Sequence, residues 1–422
     1  MARRPDMARR PAAFFLLAAL LALPAGTALA ADMHGRIELQ GVSAREGADS
    51  VGAFLDQRQR DDLLGDLRLT WEPQWDRWTL SAQYRIGFDA GDTPLYARRL
   101  AALGLFPDAP PPTLFDLTGR LVERDHLIVT QRIERLALTY RGTHAVIGVG
   151  RQALTWGAGL VFRPMDLFDP FPPDATDTEY KPGADMVYGQ YLFDDGSDLQ
   201  LVAVPRPAYR GGNPTSNASS AAAHFRTAIG LFQTSLLLAQ DHGDAVAGLG
   251  INGPLGGATW NAEIIPTFVE GHGTYTSAIL NISNAMTIWN RDATLFAEYY
   301  RNGFGMGARH YALADLPAPL VNRLLRGQVF NTGRDYLAGG ATYQWTPLIE
   351  IAPTLIANLD DRSLYGLARA TWSLNDNLTL IGGAQIPIGP SRSEFGGLPV
   401  SGGNAPYLEQ PTRIYVQLRQ YF

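Results

Sequence analysis

The chain has 422 residues, no cysteine, 35 basic against 41 acidic side chains and a formal charge of −6 at pH 7. It therefore has no disulfide or thiolate metal site, and no basic excess suits it to nucleic acid. Hydrophobic residues make up 46 %, yet beyond the N-terminal segment no run of about 18 apolar residues could cross a bilayer as a helix.

Residues 1–30, MARRPDMARRPAAFFLLAALLALPAGTALA, combine a basic start, an apolar run from Ala12 to Leu23 and a small-residue ending at Ala28-Leu29-Ala30. This is the anatomy of a secretory signal peptide, and the run is too short for a membrane anchor. The repeated MARRP makes Met7 an alternative start. The segment carries four Arg and one Asp, or +3, so its removal takes the charge from −6 to −9. The predicted mature chain is one domain, residues 31–422.

From there the sequence alternates. In Trp78–Phe88, WTLSAQYRIGF, Trp78, Leu80, Ala82, Tyr84, Ile86 and Phe88 share one face, while Thr79, Ser81, Gln83 and Arg85 share the other. Leu364–Leu374 repeats the scheme. Each run has the 9–11 residues a tilted strand needs to cross a membrane. Eighteen strands are predicted, with 14 as the lower bound, beginning near residues 35, 66, 77, 133, 144, 184, 197, 221, 232, 244, 257, 274, 293, 335, 348, 363, 377 and 412. Short turns such as 73–76, 141–143, 290–292 and 375–377 alternate with long loops at 89–123, 157–183, 207–219, 305–334 and 389–411. Lipid cannot satisfy an open strand edge, so such strands must close into a barrel. The fold class is therefore all-β: a transmembrane antiparallel up-and-down barrel with short periplasmic turns and long outer loops. Short helices are expected at 95–103 and 316–325, capping the outer mouth.

Seven of the eight tryptophans, Trp71, Trp75, Trp78, Trp260, Trp289, Trp345 and Trp372, lie in or beside a short turn; only Trp156 lies at an opposite strand end. Indole rings favour the headgroup zone, so this sorting marks one membrane interface. The chain ends on RIYVQLRQYF, Arg413–Phe422, apolar on one face and polar on the other. In this it resembles Gram-negative outer-membrane β-barrel proteins, whose last strand ends in Phe after alternating aromatic and apolar residues. The resemblance implies an outer-membrane location, contact with its lipid, and a signal read by the barrel-assembly machinery at Tyr415, Leu418 and Phe422.

On the polar faces, Arg68, Arg85, Arg135, Arg226, Arg369, Arg413 and Arg419 outnumber Asp66, Glu263 and Glu298. A net-basic lumen lined by these residues would favour anions. The loop 157–183 holds Asp166, Asp169, Asp174, Asp177 and Glu179 against only Arg163 and Lys181, the sole lysine of the chain. It is similar in order and charge to the third loop of general porins. That resemblance implies a constriction whose carboxylates oppose an arginine wall, with a rim-packed lid or a calcium site as alternatives. The sequence leaves open whether the loop folds inward. Gly150-Arg151-Gln152 with Trp156-Gly157 is similar to openings in alginate-export-like and uncharacterised outer-membrane barrels. Ser393–Gly397, SEFGG, resembles a phrase of the porin constriction loop, but lies in the last loop and is assigned no role.

The seven histidines are scattered, and neither G-x-S-x-G nor H-E-x-x-H occurs. No enzyme, cofactor or metal site is expected. The expected function is a porin-like channel for small hydrophilic solutes, anions among them, with a homo-oligomer as a possible state. The alternative is an export duct or envelope-assembly barrel for polysaccharide, lipid or hydrophobic compounds. A hydrolase ranks a distant third.

Overall fold

The computed structural model describes residues 33–106, 111–401 and 405–422. The N-terminal signal segment lies outside the described residues. Eighteen long strands follow in chain order. They are β1 (Met33–Arg45), β2 (Gln59–Trp71), β3 (Trp78–Gly91), β4 (Leu127–Arg141), β5 (Ala145–Gln152), β6 (Ala184–Leu192), β7 (Asp198–Val204), β8 (Ser220–Ile229) and β9 (Phe232–Asp241). The second half comprises β10 (Asp244–Leu255), β11 (Ala258–Val269), β12 (Gly273–Ile288), β13 (Arg291–Arg301), β14 (Asp335–Thr346), β15 (Ile349–Asn358), β16 (Ser363–Asn375), β17 (Leu378–Ile388) and β18 (Thr412–Tyr421).

Each strand pairs antiparallel with the next, and β18 returns to β1, closing the barrel. At this seam Gly35 and Phe422 exchange two backbone hydrogen bonds of 2.9 and 3.1 Å. A Cβ at Gly35 would meet the Phe422 ring at 2.5 Å and the Arg68 carbonyl oxygen at 2.7 Å, so the closure needs glycine there. No helix among the described residues is long and apolar enough to cross a membrane.

All eighteen predicted strands are present. Two begin earlier than expected, β2 at Gln59 and β4 at Leu127; the added stretch of β2 is polar, with Gln59, Asp61 and Asp62 breaking the apolar alternation, whereas that of β4 opens on Leu127, Ile128 and Val129. Helix α1 (Val51–Phe54) in the first outer loop was not foreseen; α2 (Thr93–Ala102) and α3 (Ala318–Leu325) lie where helices were expected. Trp71, Trp75, Trp78, Trp289, Trp345 and Trp372 are exposed near the short turns, as an interfacial belt requires. Trp156 is buried inside the barrel instead.

The interior divides in two. Along β6–β11 the inner wall carries Met186, Val202, Val204, Leu237, Val246 and Ile265, packed against Trp156, Met165 and Phe168 of the segment 153–183. Along β12–β16 it carries Ile279, Tyr300, Tyr336, Ile356 and Tyr365, packed against Phe162 and Phe395. Those strands carry apolar side chains on the inner face as well, among polar ones, because a loop fills the space inside them. The arc of β18 and β1–β4 keeps charged side chains on its inner face.

Candidate functional site: the loop-crossed lumen

Segment 153–183 leaves β5, crosses the interior and returns to β6, so the loop folds inward. Its root is fixed by carboxylates of the far wall. Glu298 on β13 is fully buried and accepts the backbone N–H groups of Leu160, Val161 and Phe162 at 2.6, 3.0 and 2.8 Å. It also accepts from Asn281 Nδ2 at 3.0 Å. Glu263 on β11 accepts from Ala158 N at 2.5 Å. Four donors on the buried Glu298 carboxylate offset the cost of its desolvation. Glu263 and Glu298 therefore anchor the loop, and the reading of them as open pore lining is corrected. Alternation gives their face, but a loop covers that face.

Asp166 and Lys181 form an ion pair within the loop, at 2.6 and 2.7 Å, both buried. Neither faces an aqueous path, which corrects their place among field-setting charges. Asp169 is exposed, and Asp174 offers its carbonyl oxygen to Gln385 Nε2 at 2.7 Å. On the near wall, Arg135 donates to the Lys181 carbonyl oxygen at 2.8 Å.

The loop tip reaches the closing seam. Arg36 on β1, 0 % exposed, grips Asp177 at 2.6 Å and Glu179 at 2.9 Å. Arg419 on β18 binds Glu38 at 2.6 Å and adds to Asp177 at 3.5 Å; Tyr421 donates to Glu179 at 2.9 Å. Arg36 and Arg68 both sit over the Tyr180 ring, at 4.9 and 4.1 Å. Burial works against the Asp177 charge, but the hydrogen bond and charge of Arg36 prevail and hold its carboxyl below the usual aspartate range. Loop acids and arginine wall thus meet in direct ion pairs here instead of facing each other across a gap. With Asp166, Asp177 and Glu179 all paired to cations, the calcium alternative loses three of its oxygen ligands.

Arg36 was not among the sequence candidates, although Arg36, Glu38 and Gln40 alternate with Ile37 and Leu39. In the sheet Arg36 lies opposite Arg68, Arg68 opposite Arg85, and Arg85 opposite Arg132. Four arginines thus form one row across β1–β4. Arg85 has Asp66 at 3.3 Å. Arg68 is 5 % exposed, and its Nε and Nη1 have no hydrogen-bond partner among the described residues. Of the other candidates, Arg226 pairs with Asp198 at 2.8 Å and Arg369 lies 3.9 Å from Glu350. Arg413 and Arg419 line β18 on the inner face with Tyr415, while Leu418 lies on the outer face.

The SEFGG segment also proves to have a place. Glu394 is buried and accepts from Tyr336 Oη at 2.5 Å, Asn358 Nδ2 at 2.8 Å and Thr332 N at 2.9 Å; Phe395 stacks on Tyr365 at 5.2 Å. The last loop is thereby pinned inside the outer mouth.

No sequence-family profile matches the chain, and no curated protein matches it in sequence. Solved structures do match in shape. OccAB1 of Acinetobacter baumannii is 8 % identical, with 93 % of this chain and 96 % of that one covered at a TM-score of 0.53. OccK5 (OpdH) of Pseudomonas aeruginosa is 8 % identical, with 94 % and 99 % covered at 0.53. A BenF-like porin from Pseudomonas fluorescens Pf-5 is 10 % identical, with 94 % and 100 % covered at 0.53. At such identities the likeness is one of architecture. The chain folds as an outer-membrane β-barrel of the porin type.

Proposed function

We propose that the protein is a channel in the outer membrane of a Gram-negative bacterium, passing small hydrophilic anions along the arginine-bearing arc of its wall. The observation that carries this reading is the row Arg36–Arg68–Arg85–Arg132. Like charges directly opposite on neighbouring strands destabilise a sheet. A four-strand row of them is a cost that the fold itself does not require. Glu38, Asp66, Asp177 and Glu179 offset part of it. Arg36 and Arg68 lie buried against Tyr180, whereas Arg85 keeps 39 % side-chain exposure on which a carboxylate or phosphate oxygen would find a donor. Conduction needs such contacts to be weak and repeated, and the half-buried Arg85 and Arg132, one strand apart at the open end of the row, supply two of them. No covalent step is involved.

Reversal potentials across a planar bilayer under a salt gradient test the reading. The wild type is expected to prefer anions, and the double variant Arg85→Glu, Arg369→Glu to shift toward cations. An unchanged reversal potential in that variant rejects the arginine arc as the path. A barrel that stays silent at all voltages favours the export-duct reading instead.

A further inference from the structure

Strands β5, β6 and β7 have 8, 9 and 7 residues, against 14 in β3 and 15 in β4. At about 3.3 Å per residue and a tilt near 40°, they rise roughly 18–23 Å, short of an apolar band about 25 Å tall. The sheet is nevertheless continued above β5. A short strand of the second outer loop, Thr118–Arg124, pairs antiparallel with the upper part of β4, from Thr118 opposite Arg132 to Arg124 opposite Leu127. Lower on β4, Leu136 already pairs with Arg151 of β5. On the outer face of this added corner Val122 lies opposite Val129, and Val129 opposite Phe88 of β3. The lipid-facing apolar surface thus runs from the wall onto the loop.

The limb leading into that strand covers an ion pair on the same outer face. Arg151 lies opposite Leu136 and two places from Val149, and Asp185 two places from Val187. Leu136, Val149 and Val187 are exposed apolar residues of the barrel exterior, so Arg151 and Asp185 point the same way. Yet these two are only 2 % and 4 % exposed. They share two hydrogen bonds of 2.8 Å, and the limb takes up what is left. Arg151 Nη2 donates to the Phe115 carbonyl oxygen at 2.6 Å, and Phe115 N donates to Asp185 Oδ2 at 3.0 Å. On the same face the Gln131 amide oxygen accepts from Tyr84 Oη at 2.9 Å. These polar groups find their partners within the protein, as hydrocarbon demands and water does not. Phe115 itself is 58 % exposed, and beside it Asp116 pairs with Arg210 of loop 207–219, both exposed.

We infer that residues 113–124 of this loop form a seat for outer-leaflet lipid. Phe115 and Val122 meet the upper acyl chains, and the Asp116–Arg210 pair lies at the headgroups. Lipid is the occupant because the surface continues the apolar band of the wall, and because the height that β5 lacks is the height the added strand supplies. The ion pair gives the limb its purpose. Arg151 and Asp185 stand just before and just after the crossing segment 153–183, at the top of a short wall. Bare, they would face hydrocarbon, where a charge is costly. With Phe115 laid over them, the stem of the crossing segment is sealed from lipid and the loop takes the contact instead.

The absence of cysteine in the chain makes the test direct. Phe115→Cys and Val122→Cys are labelled with bimane in the full-length protein, in vesicles of phosphatidylethanolamine and phosphatidylglycerol. Leu136→Cys on the wall and Tyr209→Cys, at a loop position 71 % exposed, serve as references for lipid and water. Each variant must give the heat-modifiable barrel band of the wild type. A 5-doxyl phosphatidylcholine quenches from the lipid and iodide from the water. The expected result at positions 115 and 122 is doxyl quenching at least half as strong as at 136, with iodide quenching at most one-fifth of that at 209. Adding Phe115→Asp to Val122→Cys should draw the limb toward water and raise iodide quenching at 122 at least three-fold. Iodide quenching at either position as strong as at 209 would make this an ordinary solvated loop and overturn the proposal. Quenching by neither agent would put protein over the limb and overturns it too, as does iodide quenching at 122 that Phe115→Asp leaves unchanged.

Discussion

Glu298 is a charged side chain spent on uncharged partners, and its replacement isolates what the loop root contributes. Glu298→Gln keeps the volume but sets an amide donor against backbone N–H donors, leaving buried groups unmatched at about 1–3 kcal/mol each. The expected outcome is a barrel that still forms but with segment 153–183 cut by protease faster than in the wild type. Lys181→Met leaves Asp166 buried and alone, a change that typically costs about 3–5 kcal/mol. It should lower the temperature at which the heat-modifiable band converts, and Lys181→Met with Asp166→Leu should recover most of that loss. These residues also show how far sequence reaches. The inward face of Glu263 and Glu298 was legible from alternation, because the strand period is two. Their burial was not, since nothing local says that a loop more than a hundred residues earlier will cover them. Arg36 was legible on the same grounds as Arg68; its partners Asp177 and Glu179 lie about 140 positions away and were not.

At the scale of the element, the loop 153–183 has a buried root and a wetter tip. The root combines Trp156, Met165 and Phe168 with carboxylate-to-amide bonds. The tip depends on charge pairs in which Asp177 and Glu179 keep 24 % and 34 % side-chain exposure. Asp177→Asn with Glu179→Gln should release the tip while the root holds, seen as higher single-channel conductance with a folded barrel. The pH dependence follows from the lowered Asp177 carboxyl. A depressed acid contributes stability above its unfolded value and loses it as pH falls through the folded one. Conductance should therefore stay flat from neutral pH down through the ordinary aspartate range and rise only below it. A rise already near pH 6 would mean that another group holds the tip. Helices α2 and α3 were readable from apolar spacing, being local. The SEFGG segment was not, because its docking partners Asn358 and Tyr336 belong to strands that meet it only in the closed barrel.

For the whole molecule, eighteen strands, their alternation of turn and loop length, and the tryptophan belt were all present in the sequence, since lipid outside the wall enforces the period strand by strand. The two-sided interior was not, because an apolar residue on an inward face looks like noise until its loop partner is known. Closure depends on the last residue: removing Phe422 deletes both backbone bonds to Gly35 and should reduce the heat-modifiable fraction in cells more than it reduces stability of barrels already formed. One consequence of the loop's two kinds of attachment concerns electrolytes. Molar salt shortens the reach of a charge to about 3 Å, yet leaves amide-to-carboxylate bonds in a dry interior nearly untouched. Concentrated brine would thus loosen the half-exposed Glu179 end of the crossing segment before its dry root, so the current recorded in it would belong to a hole no narrower than the one a cell in dilute water keeps open.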